Sequence, residues 1–124
     1  MIDHFGLSVA DYDKSRAFYD SVLATLGYRR MQEFPTPAGM LAGYGDGKPE
    51  FWINAGGRST GRLHIAFAAK SRADVDAFYA KALEVGGRDN GAPGLRQIYH
   101  PNYYGAFVFD LDGHNIEAVC HAPG

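Results

Sequence analysis

Polar and apolar positions alternate in residues 4–9, where Phe5, Leu7 and Val9 interleave with His4, Gly6 and Ser8. The same period returns in residues 64–69, with Ile65 and Phe67 set against His64, Ala66 and Ala68. A period of two is the mark of a strand with two unlike faces. In both stretches one face is bulky and apolar, and the other carries a histidine followed by small residues. The period then lengthens. Ala17, Phe18, Val22 and Leu26 form a stripe at helical spacing and predict a helix from about Asp13 to Leu26, with Asp11 or Asp13 as cap and Gly27 as stop. A second helix is expected after Ser71, with Ser71 as N-cap, Asp74 in the first turn, Val75, Phe78, Ala82 and Leu83 as its stripe, and Gly86-Gly87 as its end. Asp46-Gly47 and Asp112-Gly113 predict type I′ hairpin turns. A strand follows each turn, with Phe51 and Ile53 opposed to Trp52 in one and Ile116 and Ala118 opposed to Glu117 in the other. Residues 35–39 and 91–94, rich in Pro and Gly, read as loops.

The chain also repeats. At an offset of 60 residues, six of the first 30 positions coincide: His4 with His64, Ala17 with Ala77, Phe18 with Phe78, Tyr19 with Tyr79, Leu23 with Leu83 and Gly27 with Gly87. Repeat and periodicity together predict an α+β chain of two tandem βαβββ modules, about 1–60 and 61–124, forming one domain over 1–124. A helix is expected to cover the apolar face of each sheet, leaving the other faces to form a curved, concave surface.

Composition narrows the class of partner. The 124 residues are 46% hydrophobic and 21% charged, the balance of a globular chain rather than a disordered one. Twelve Lys and Arg against 14 Asp and Glu leave a net charge of −2 with no basic block, which argues against nucleic acid or an anionic membrane as partner. No apolar run is long enough to span a bilayer. Asp3 and His4 follow the first Met almost at once, with no apolar leader segment. A lone Cys120 excludes an intramolecular disulfide and suits a reducing compartment. The expectation is a cytoplasmic domain that binds a small molecule.

The chemistry concentrates on the unpacked face. His4 and His64 hold the first inward position of equivalent strands, and the small residues behind them would leave a hole in an ordinary core. Glu117 adds a carboxylate to a strand that is otherwise apolar on its packed face. A lone buried carboxylate is costly, and a cation is one remedy. Two imidazoles and one carboxylate on neighbouring strands make a facial divalent-metal site with open positions.

These residues resemble the vicinal oxygen chelate superfamily: glyoxalase I, bleomycin-resistance proteins and extradiol dioxygenases. The resemblance rests on Ile2-Asp3-His4, Ser15-Arg16-Ala17-Phe18-Tyr19-Asp20, His64-Ile65-Ala66-Phe67 and the closing stretch from Phe107 to Glu117. It implies His4, His64 and Glu117 as ligands of a divalent metal (Zn, Ni, Fe(II) or Mn), with Glu117 also catalytic, and a homodimer as the assembled form. It implies a glyoxalase I-like lyase or isomerase acting on a substrate with vicinal oxygens. The superfamily also contains metal-free ligand-sequestering proteins and ring-opening dioxygenases. Glyoxalase I-like members usually supply a fourth ligand from the last strand of the first module. Here Trp52 stands at the matching position, with Glu50 or water as the alternatives.

Further candidates cluster in Tyr99-His100-Pro101-Asn102-Tyr103-Tyr104. One reading is a wall or lid over the metal, with His100 and Tyr104 as proton carriers and Tyr99 and Tyr103 contacting substrate. The other is an exposed loop entering a strand. Trp52 suits substrate stacking, and Arg96 suits a substrate carboxylate or phosphate or else a solvated loop. His114 is expected to face outward from its turn. Cys120 reads as a small buried hydrophobe, and His121 lies near the chain end with no assigned role.

Overall fold

A computed structural model describes residues 1–124. The chain divides into two compact units, Met1–Gly61 and Arg62–Gly124. The first holds β1 (Phe5–Ser8), α1 (Tyr12–Ala24), β2 (Arg29–Thr36), β3 (Gly39–Asp46) and β4 (Lys48–Asn54). The second holds β5 (His64–Ala68), α2 (Arg72–Glu84), β6 (Arg88–Leu95), β7 (Tyr104–Phe109) and β8 (Asn115–Cys120). Each unit is therefore βαβββ. The sheet orders match as well, β1-β4-β3-β2 in one and β5-β8-β7-β6 in the other. In each, the first strand pairs parallel with the last, and the other two neighbours pair antiparallel.

Local chemistry sets the helix ends. Asp11 caps α1 by accepting from Lys14 N, and Gly27 takes a positive φ of 85° where the chain leaves the last turn. Ser71 caps α2 by accepting from Asp74 N, as the spacing predicts. The buried stripe of α1 is Tyr12, Phe18, Tyr19, Val22 and Leu23 rather than one that includes Ala17, which is exposed. In α2, Val75, Phe78 and Ala82 are buried while Leu83 is 39% exposed, because one residue past Ala82 turns about 100° off the stripe.

Each helix covers one face of its own sheet. In the first unit that face carries Leu7, Ala42, Tyr44, Phe51 and Ile53, all buried. Tyr19 of α1 packs 5.0 Å from the Phe51 ring. In the second unit Ala106, Val108, Ile116, Ala118 and Cys120 take the same part. The opposite face of each sheet has no helix of its own unit against it.

Three expectations are corrected. Pro35 and Thr36 lie in β2, and residues 91–94 lie in β6, although both stretches read as loops. Both strands are sheet edges, where a proline need not donate to a ladder; β6 also absorbs its glycines as bulges between Asp89 and Gly94. Neither Asp-Gly turn is type I′, since Gly47 and Gly113 have positive φ and Asp46 and Asp112 do not. In the second turn Asp110 substitutes its side chain for that geometry, its Oδ1 accepting from Asp112 N and His114 N. His114 consequently folds inward and is 2% exposed, with Nδ1 3.3 Å from Asp110 Oδ2. No helix is long and apolar enough to cross a membrane.

Candidate functional site

In the second unit β5 and β8 run parallel, with Ala66 beside Glu117. On β7, Phe107 sits directly opposite Glu117. Side chains alternate across a strand, so His64, Ala66, Glu117, Gly105 and Phe107 share the face turned away from α2. Glu117 is fully buried there, at 0% exposure. Its Oε1 lies 2.8 Å from His64 Nε2. Its Oε2 accepts the phenolic O–H of Tyr103. A buried carboxylate needs such partners, because desolvation without them costs several kcal/mol. Glycine at 105 leaves room for the contact. A Cβ there would stand 3.2 Å from both Glu117 Oε2 and the Tyr103 ring.

The His64 side chain is half exposed, so the pair joins a buried acid to a solvent-facing imidazole. The Tyr103 phenol is held above its ordinary value of 10.0, first by burial, then by its bond to Glu117 and the carboxylate charge; the Arg96 cation opposes this. Behind Tyr103 stands a stacked histidine pair. His100 Nε2 is 2.8 Å from His121 Nδ1, and the two rings lie 5.0 Å apart at 26°. His100 Nδ1 accepts from Asn102 N, which leaves Nε2 as the ring nitrogen facing His121. Both rings meet Tyr103 edge-on, at 5.5 Å and 5.3 Å.

The structure thus brings together His64, Glu117 and Tyr103, with His100 one ring further out. Tyr99 is 62% exposed and its ring lies 4.8 Å from that of Tyr103. Tyr104 is corrected. It faces the other way, its O–H donating to Asp76 on α2 at 2.6 Å with the Arg72 guanidinium over its ring, so it is a helix-to-sheet tie rather than a proton carrier for Glu117. His121 and Phe107 are the residues that sequence reasoning missed. Phe107 could not be found by counting back from a two-residue Asp112-Gly113 turn, which would set Val108 opposite Glu117; the hairpin closes with Asp110 against His114 and shifts the register by one.

In the first unit His4 precedes β1 and is exposed, its Nδ1 2.8 Å from Asp3 Oδ1. The Asp3 carboxyl is pulled down to about 2 by its bond to Lys48 and then by His4. Trp52 pairs with Gly6 just as Glu117 pairs with Ala66, so the register sets Trp52 in the place that Glu117 holds in the other unit. Its indole lies across Gly43, where a Cβ would come within 2.7 Å of the ring. Phe34 meets it edge-on at 6.1 Å. Glu50, two residues before Trp52, is exposed.

His64 Nε2 and Glu117 Oε1 are of the donor types that divalent cations take, and they already converge. No third His, Cys, Asp or Glu is gathered with them.

Paired βαβββ units define the glyoxalase fold class. The family model described as Glyoxalase/Bleomycin resistance protein/Dioxygenase superfamily matches residues 1–118, and the chain belongs to that superfamily. Among solved structures it is similar to a glyoxalase/bleomycin resistance protein from Albidiferax ferrireducens T118, with 28% identity, 98% of each chain covered and a TM-score of 0.79. A glyoxalase/bleomycin resistance protein/dioxygenase family enzyme from Burkholderia phytofirmans PsJN shares the fold at 18% identity, with 98% of each chain covered and a TM-score of 0.72. Glyoxalase I from Zea mays shares it at 22% identity and a TM-score of 0.72, over 96% of this chain and 45% of that one. No curated protein matches the chain.

Proposed function

We propose that this chain is a metal-dependent lyase or isomerase of the glyoxalase I-like kind, acting on a small substrate with two neighbouring oxygens. The observation that carries the reading is the fully buried Glu117 carboxylate with the His64 imidazole beside it. His64 and Glu117 would hold a divalent metal, with His4 as the third ligand that the superfamily resemblance implies. When bound, such a cation supplies positive charge to adjacent substrate oxygens and to the negative charge that develops on them. The chain's own residues set the stage. Burial keeps water from Glu117, and Tyr103 fixes the carboxylate by holding Oε2. His64, half exposed, marks the side from which substrate approaches. The resemblance adds a homodimer as the working assembly.

Metal content tests the reading. Protein purified without chelator should carry a divalent metal in wild type and lose most of it in His64→Ala, Glu117→Gln and His4→Ala. Unchanged stoichiometry in all three overturns it.

One observation favours a second reading, a metal-free ligand-sequestering module. Both Glu117 oxygens already have partners, His64 and Tyr103, with no third metal donor beside them. Exhaustive dialysis against a chelator separates the two. A sequestering module keeps its ligand affinity, and a metal enzyme loses both metal and turnover.

A further inference from the structure

Arg96 follows β6, and its backbone N–H donates to Tyr103 O at 2.7 Å, closing the 96–103 connection on itself. The side chain folds back over the strand it has just left. Nη1 donates to Gly94 O at 3.0 Å and Nη2 to Ala92 O at 2.8 Å. The strand makes room for it, since a Cβ on Gly91 or Gly94 would stand 3.2 Å from a guanidinium nitrogen. The guanidinium carbon lies 5.4 Å from the centroid of the Phe107 ring. Phe107 is the residue opposite Glu117, and its ring is 6.0 Å from that of His64. Arg96 therefore sits on the Glu117 face of the sheet, one aromatic ring from the acid–imidazole pair.

Its charge is unanswered. Arg16 and Arg30 each reach a carboxylate, whereas Arg96 is held by two neutral carbonyls and no carboxylate joins them. Carbonyls orient a cation without neutralising it. They use one N–H from each terminal nitrogen and leave the rest of the planar fork available. A guanidinium held by two carbonyls beside an aromatic ring has already lost side-chain freedom that binding would otherwise cost it.

We propose that Arg96 is an anion-recognition residue of this site, and that the substrate carries a carboxylate separated by several bonds from its vicinal oxygens, so that the two ends bracket Phe107. This deepens the function proposed above and rests on its placing of the substrate at His64 and Glu117. A bidentate, charge-assisted contact explains why arginine, rather than a neutral donor, occupies a position whose visible partners are all neutral.

The test uses the full chain, stripped of metal by chelator and then desalted, and two isosteric probes, glutarate and its uncharged diamide. The Arg96 Nε–H resonance is followed by NMR. Glutarate should shift it saturably, the diamide should not, and Arg96→Gln should weaken glutarate binding at least about tenfold while Arg96→Lys, which keeps charge but loses the fork, falls between. Equal response to glutarate and the diamide overturns the proposal, as does wild-type affinity in Arg96→Gln. The two-probe comparison in wild type needs no variant, so a poorly folded Arg96→Gln leaves the question decidable. Metal content plays no part in this readout. Anion binding with no metal in any preparation removes the metal reading and keeps the subsite, and metal binding without anion binding does the reverse.

Discussion

At Glu117 the two carboxylate oxygens are served from opposite sides, one by an imidazole and one by a phenol. Removing the phenol's hydroxyl separates the roles of these partners. Tyr103→Phe leaves Oε2 buried without its donor and should cost about 1–3 kcal/mol of unfolding free energy. Tyr99→Phe, on an exposed ring, should cost almost nothing; chemical denaturation of both variants checks the contrast. Gly105→Ala presses on the same bond from the next residue, because its methyl would stand 3.2 Å from Oε2. At this scale the sequence was informative in proportion to how far strand parity could be carried. Strand parity marks Glu117 as an acid on the face opposite Ile116 and Ala118, and the structure buries it there with His64. The sequence does not separate Tyr103 from Tyr104, because nothing in the 96–103 connection sets where β7 begins. A two-residue Asp112-Gly113 turn would bring Tyr104 and Val108 to the Glu117 face; the hairpin closes with Asp110 against His114 instead, which shifts the count by one and brings Tyr103 and Phe107 there. His114 departs from expectation for a different reason. Turn residues are usually outside, and here the Asp110 carboxylate draws two turn N–H groups inward together with the imidazole.

Between elements, phenol-to-carboxylate bonds recur as ties from helix to sheet. Tyr12 O–H donates to Glu33 Oε2 at 2.6 Å and joins α1 to β2, and Tyr44 O–H donates to Asp20 Oδ1 at 2.8 Å and joins β3 to α1. In the second unit Tyr79 reaches Asp89 and Tyr104 reaches Asp76. Burial, then the acceptor carboxylates, holds the Tyr12 and Tyr44 phenols well above their ordinary value of 10.0. The sign follows from linkage. A raised phenol keeps its proton in the folded state where the unfolded chain releases it, so this stabilisation is complete below pH 10 and is lost as pH rises above it. Urea midpoints should therefore be level across pH 8–9 and fall above pH 10. In Tyr44→Phe the overall stability should be about 1–3 kcal/mol lower and the alkaline fall shallower. A second element-level test lies at the β3–β4 pair. Gly43→Ala sets a methyl within 2.7 Å of the rigid indole of Trp52. As Trp52 is the only tryptophan, its fluorescence maximum should shift with the displaced ring, while Gly47→Ala at the hairpin tip should leave the spectrum unchanged.

Across the molecule, each unit repeats the other's topology but not its chemistry. The parallel pairing of first and last strands sets Trp52 and Glu117 at equivalent register positions. One sheet presents an indole where the other presents an acid. The repeat of helices and strands was legible because period two and period 3.6 survive the divergence of individual residues. The edge strands were not, because prolines and glycines that break a central strand are tolerated at an edge. The central claim is that the acid–imidazole pair of the second unit binds a divalent metal. Crystals grown without chelator, with anomalous scattering measured on both sides of each candidate metal edge, test it most directly. An edge-dependent peak in contact with His64 Nε2 and the Glu117 carboxylate, with the Tyr103 hydroxyl still holding the other oxygen or displaced from it, is the expected result. Crystals grown with excess divalent metal that show no peak at this pair, or show it only elsewhere on the chain, would contradict it.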